Sequence, residues 1–118
     1  MSFGVPWWLP FGSVPEVDAA ELARSLSGTG RPLLIDVREP SEWSAGHIAG
    51  SVNVPIARLP ARLESLEIDP GRPVVAICLS GHRSIPAVRL LSRRSAEVRQ
   101  LRGGMLAWRR AGLPERAS

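Results

Sequence analysis

The sequence contains no lysine, a single cysteine and no uninterrupted apolar run long enough to cross a bilayer. Each absence excludes something. A helix spanning the hydrocarbon core takes about 20 consecutive apolar residues. The apolar opening, residues 1–11, is shorter, lacks a basic leading segment and is broken by Pro6 and Pro10, so neither a membrane span nor a secretory signal is expected. One cysteine, Cys78, permits no intramolecular disulfide, no multi-cysteine metal cage and no exchange with a resolving cysteine of the same chain. The expected compartment is the cytoplasm. With lysine missing, all 15 basic residues are arginines, whose planar fork suits oxyanions, although genomic base composition accounts for the bias equally well. The arginines are scattered among acids, and no series of aromatics interleaves with them as a base-stacking platform requires. A nucleic-acid partner is not expected.

What is present is the composition of a folded domain. The 118 residues are 44% hydrophobic and 22% charged with net charge +4, which leaves room for one core. Residues 1–13 form an apolar proline- and tryptophan-containing segment, with Trp7-Trp8 read as a strap over the domain rather than an exposed contact, and residues 14–118 form the domain itself. The pattern predicts strands at 14–17, 33–37, 51–55, 73–78 and 97–101. Runs 33–37 and 73–78 are apolar without alternation, as in strands covered on both faces. Between them fall a helix at 19–26 capped by Asp18, a two-turn helix opening at Pro40 and closing at Gly46, and helices at 56–66, 84–94 and 105–111. Pro60 should bend or delay the third of these, whose apolar positions 56, 59, 63 and 66 share one face. Trp43 and Trp108 are expected in the core. Such alternation implies an α/β fold, an open parallel sheet of about five strands with helices on both faces. Ligands of such sheets bind outside the carboxyl ends of the strands, where this reading places Cys78, Asp36 and Arg38.

The loop Cys78-Leu79-Ser80-Gly81-His82-Arg83-Ser84 carries the chemistry, because a turn entering a helix can aim successive N–H groups at an anion beside the positive end of the helix. Gly81 allows the backbone angles of such a cup. Arg83 adds a charge that can neutralise a thiolate or hold an incoming oxyanion, and Ser84 can cap the helix or donate to sulfur. An ordinary cysteine, with a pKa near 8.5, is only about 3% thiolate at pH 7. Two units of depression, about 2.7 kcal/mol, make it mostly thiolate. The competing reading of Cys78 is an inert buried thiol. Asp36 and Arg38 read as supports, a buried carboxylate accepting loop N–H groups with an arginine partner.

From about residue 14 to 114 the chain resembles a single-domain rhodanese. The resemblance rests on Ile35-Asp36-Val37-Arg38-Glu39-Pro40-Ser41-Glu42-Trp43, Gly46-His47-Ile48-Ala49-Gly50-Ser51-Val52-Asn53-Val54-Pro55, the Cys78 loop, and Gly103-Gly104-Met105-Leu106-Ala107-Trp108 through Gly112-Leu113-Pro114, in that order. It implies a sulfurtransferase in which Cys78 takes a sulfane sulfur from a donor such as thiosulfate or a persulfide. The Cys78 persulfide then passes that sulfur to cyanide or a thiol, with 79–84 as the substrate cradle and no metal or organic cofactor. It also implies a structural hydrogen bond for His47. Thiosulfate-using members often carry a second arginine after the cysteine. Here that residue is Leu79, which leaves donor binding to Arg83 and His82, and a protein sulfur donor or acceptor is a further candidate partner. An exposed nucleophile on so small a domain needs no dedicated pocket. Two other readings stay open. One is a non-catalytic rhodanese-like docking or regulatory module. The other is a cysteine phosphatase or arsenate reductase, whose loops place five residues between cysteine and arginine, where this one has four.

Overall fold

A computed structural model describes residues 6–9 and 12–117. Five parallel strands, β1 (Glu16–Val17), β2 (Leu33–Asp36), β3 (Val52–Asn53), β4 (Val74–Ile77) and β5 (Val98–Leu101), form one sheet in the order β1-β5-β4-β2-β3. The two central strands are the two continuous apolar runs of the sequence, and each residue of β4 is buried. Successive side chains point to opposite faces. Ile35, Val74 and Ala76 therefore enter one core cluster, and Leu34, Val75 and Ile77 enter the other.

Helices cover both faces. Helix α1 (Ala19–Ser27), capped by the Asp18 carboxylate accepting the Glu21 N–H at 2.8 Å, and α5 (Gly104–Arg110) supply Leu22, Met105 and Trp108 to the second cluster. Helices α3 (Leu59–Arg62) and α4 (Ser84–Leu91) supply Leu59, Ala87, Val88, Leu90 and Leu91 to the first. Helix α2 (Pro40–Ala45) buries no residue, because it lies past the end of β2 instead of on a sheet face.

Two predicted helices are interrupted. The stretch expected as one helix over 56–66 is a 3₁₀ turn (Ile56–Arg58), the short α3, and a second 3₁₀ turn (Leu63–Ser65). Pro60 has no N–H to donate to the preceding turn, so the ladder restarts there. The predicted face survives, with Leu59, Leu63 and Leu66 buried. Helix α4 stops three residues before the expected Arg94. That guanidinium reaches instead to the carbonyls of Leu63 and Leu66, and Ser95 is buried with its hydroxyl on the Arg72 carbonyl at 2.9 Å. Tertiary bonds have outcompeted another helical turn.

The topology places a crevice. After β2 the chain moves outward to β3, and after β4 it moves the opposite way to β5. Between β2 and β4 the winding reverses, and ligands of open α/β sheets bind at the carboxyl end of such a point. Asp36 and Ile77 are register partners there, so Asp36, Arg38 and Cys78 gather at one end of the sheet.

Candidate active site

Cys78 follows the last residue of β4 and is 1% exposed. The sequence reading expected this cysteine to be exposed, and it is buried. Its side chain belongs to the first core cluster, while that of the next residue, Leu79, packs against the second. Leu79 offers the cup only its backbone. Gly81, at φ +105°, then turns its N–H onto Sγ at 2.8 Å. Few residues with a Cβ adopt that angle.

Helix α5 holds the other side of the loop. Met105 and Leu106 donate their N–H groups to the carbonyls of Cys78 and Leu79 at 2.8 and 3.0 Å. In trans peptide planes those carbonyls leave the N–H groups of Leu79 and Ser80 on the opposite side from α5. Gly104 (φ +58°) permits the approach, because a Cβ there would lie 2.5 Å from the Leu79 carbonyl. Ser80 and His82 are exposed at the mouth, with Oγ and Nδ1 3.2 Å apart.

Behind the sulfur lies a polar relay that sequence reading missed. Ser84 Oγ is 3.3 Å from Cys78 Sγ and donates to Gln100 Oε1 at 2.5 Å, while Gln100 Nε2 donates to Glu16 Oε2 at 2.9 Å. Glu16 fixes the glutamine amide orientation, so the acceptor oxygen faces Ser84. The single hydroxyl proton goes to Gln100, and Ser84 presents a lone pair to the thiol. Ser84 does not cap α4, whose N-cap position is Arg83.

Arg83 is not free. Its Nη1 and Nη2 donate to the two oxygens of Glu42 at 2.6 and 3.0 Å. That fork holds the Glu42 carboxyl down at about 2, with the Glu39 N–H and the Arg38 charge adding to the effect against partial burial. Glu42 in turn raises the Arg83 guanidinium further, and the nearby Cys78 contributes to the same shift. Asp36 and Arg38, 0% and 1% exposed, form a second fork, with Nε to Oδ1 at 3.0 Å and Nη2 to Oδ2 at 2.9 Å. Contrary to expectation, Asp36 accepts the Arg38 N–H (3.1 Å) rather than N–H groups of the Cys78 loop. Arg38 then reaches the Gly46 carbonyl at 2.7 Å and the Glu42 carbonyl at 3.4 Å, bracing α2. The carboxylate therefore acts on the loop at one remove, through Arg38, α2, Glu42 and Arg83.

A family model described as the rhodanese-like domain matches residues 18–111, which include every residue of this crevice except Glu16. The chain belongs to the rhodanese-like family. It is 39% identical over 102 residues to a protein of Allochromatium vinosum named sulfurtransferase, covering 86% of this chain and 94% of that one. It is also 43% identical over 100 residues to a helix-turn-helix transcriptional regulator of Mycobacterium tuberculosis, covering 83% of this chain and 43% of the regulator. This chain thus spans less than half of that relative. Among solved structures, a rhodanese-related protein of Thermoplasma volcanium superposes with TM-score 0.78 at 30% identity, covering 89% of this chain and all of that one.

Other residues in this rhodanese-like domain serve the frame. The buried His47 contacts the Trp43 carbonyl through Nδ1 at 2.7 Å, its ring stacks on Trp43 at 3.7 Å, and its backbone pairs with Arg116. Trp108 is buried as expected. Trp43 is only half-buried, because α2 has no sheet face beneath it, and its indole N–H donates to Ser51 at 3.0 Å. Trp7 packs against the first core cluster and Arg89 holds the Leu9 carbonyl at 2.6 Å. Trp8 is 59% exposed, so only one tryptophan of the pair straps the domain. Residues 1–5, 10 and 11 of that segment lie outside the described residues. A cleft of about 690 Å³ between α1, α5 and residues 48–49 includes no residue of the Cys78 loop. Among the described residues no helix is long and apolar enough to cross a membrane.

Proposed function

We propose that the chain is a sulfurtransferase that carries sulfur as a persulfide on Cys78. The observation that carries this reading is the Gly81 N–H held 2.8 Å from Sγ, in a turn that leads into α4. A donor N–H at that distance, aimed at the sulfur from a turn, is one member of an anion cup. The amides of residues 79–81 lie where an outer sulfur would need hydrogen bonds.

The cycle balances without an oxidant. The Cys78 thiolate attacks the outer sulfur of thiosulfate, the S–S bond breaks, and its electron pair leaves with sulfite. Cyanide or an acceptor thiolate then takes the outer sulfur from the persulfide and returns the Cys78 thiolate. An ionised sulfur attacks sulfur without a general base. His82 stands at the mouth of the cup, beside the path of an incoming donor. The cytoplasm, rich in thiols, suits such a carrier. Phosphate chemistry fits less well, because the loop arginine it needs is already committed to Glu42.

The test is intact-protein mass spectrometry after incubation with thiosulfate or glutathione persulfide, in wild type and Cys78→Ser. The expected result is a gain of one sulfur atom on wild type alone, removed by cyanide. No gain with either donor refutes the sulfurtransferase reading. It would favour the non-catalytic module.

A further inference from the structure

We propose that Glu42 is a specificity-determining residue that cancels the only cation of the Cys78 loop and so biases the site against dianionic donors. The inference rests on the sulfurtransferase reading and deepens it.

Within residues 78–84 Arg83 is the only side chain with a permanent positive charge. In a cup open to a dianion such as thiosulfate, that guanidinium would be the natural anchor, because it donates in a fork and cannot be deprotonated. Each of its terminal nitrogens instead donates to a Glu42 oxygen, at 2.6 and 3.0 Å, which sets a full negative charge against it. The same Oε1 that accepts Arg83 Nη1 also accepts the Glu39 N–H at 2.9 Å, in a reciprocal cap of α2 that locks the carboxylate in position. Arg38 holds α2 to the end of β2 through the Glu42 and Gly46 carbonyls. The pair is built into the frame and not assembled by chance on a flexible surface. A carboxyl held at about 2 remains charged at any working pH.

The consequence is a cup whose cation is compensated. A donor bearing two negative charges meets the Glu42 carboxylate as well as the Arg83 guanidinium and gains little net attraction. A donor with one charge loses less. Removing the Glu42 charge should therefore favour a dianion over a monoanion that reacts in the same way. Methanethiosulfonate provides that comparison. Thiolate attack on its outer sulfur breaks the S–S bond and expels methanesulfinate with the electron pair, as thiosulfate expels sulfite, with one charge fewer on donor and leaving group.

The experiment measures thiocyanate formation from each donor with cyanide, after subtracting the uncatalysed rate, in wild type, Glu42→Gln, Glu42→Ala and Glu42→Asp. The expected result is that kcat/KM for thiosulfate rises about five-fold relative to that for methanethiosulfonate in Glu42→Gln. That is the size expected for one unit charge removed about 4 Å from an anion screened as in bulk water. Glu42→Ala repeats the shift should the glutamine variant fold poorly, and Glu42→Asp, which keeps the charge, leaves the ratio as in wild type. An unchanged ratio in Glu42→Gln, or the same shift in Glu42→Asp, overturns the assignment. Absence of thiocyanate from both donors in wild type overturns this assignment, and absence of a Cys78 persulfide after glutathione persulfide as well overturns the sulfurtransferase reading itself.

Discussion

Asp36→Ala is the perturbation that most directly tests how the site is supported. Asp36 and Arg38 are 0% and 1% exposed, and the carboxylate accepts Arg38 Nε, Nη2 and N–H at 3.0, 2.9 and 3.1 Å. Removing it leaves a guanidinium that cannot deprotonate in a place water does not reach. Breaking a buried pair from one side costs about 3–5 kcal/mol. Unfolding entropy of about 2.1 cal/mol/K per residue means that 4 kcal/mol over a 118-residue domain lowers the melting temperature by about 16 °C. Urea unfolding followed by tryptophan fluorescence measures the free energy, and thermal circular dichroism measures the midpoint. Asp36→Ala combined with Arg38→Met, which removes both charges, should recover about half of the loss. A single-variant loss under about 1 kcal/mol would mean that Arg38 finds water, and would refute the reasoning.

Two further outcomes follow from the site. Ser84→Ala leaves the buried Gln100 Oε1 without its 2.5 Å donor, and should cost about 1–3 kcal/mol in urea unfolding, whereas adding Gln100→Met should restore much of that stability; a stable single variant would mean the relay is not satisfied as described. Glu42 has its carboxyl lowered to about 2 by the Arg83 fork, so its stabilising contribution is complete above about pH 4.5 and fades as pH falls towards 2. The stability gap between wild type and Glu42→Gln, measured by urea unfolding, should be flat from pH 7 to 5 and shrink below it, and a gap that stays constant down to pH 2.5 would contradict the pairing.

The central strands and the position of Cys78 at the end of one of them were legible because their signals are local. Runs 33–37 and 73–78 are apolar at every position or nearly so, and Cys78 stands where one of them meets glycine, arginine and a helix start. The partners of the site were not legible. Glu42 meets Arg83 across 41 residues, and Ser84 meets Gln100 across 16. Nothing in either segment's own periodicity points to the other, since both contacts exist only once β2, β4 and β5 lie side by side. The burial of Cys78 was misjudged for the same reason, as the first core cluster it joins draws on residues from Ile35 to Val98. Only the glutamate four residues after Arg38 offered a hint, and its spacing equally suits a solvated helix face.

The closure of the loop by α5 has a consequence for the order of events during synthesis. The carbonyls of Cys78 and Leu79 find their partners in Met105 and Leu106, some 27 residues later, and Gly104 leaves no gap between them. A chain still on the ribosome, with β4 and α4 already emerged, lacks the helix that turns those carbonyls outward. Its Cys78 loop is still open on one side. The loop is completed among the last parts of the domain, so its final geometry arrives together with the finished fold and not before it.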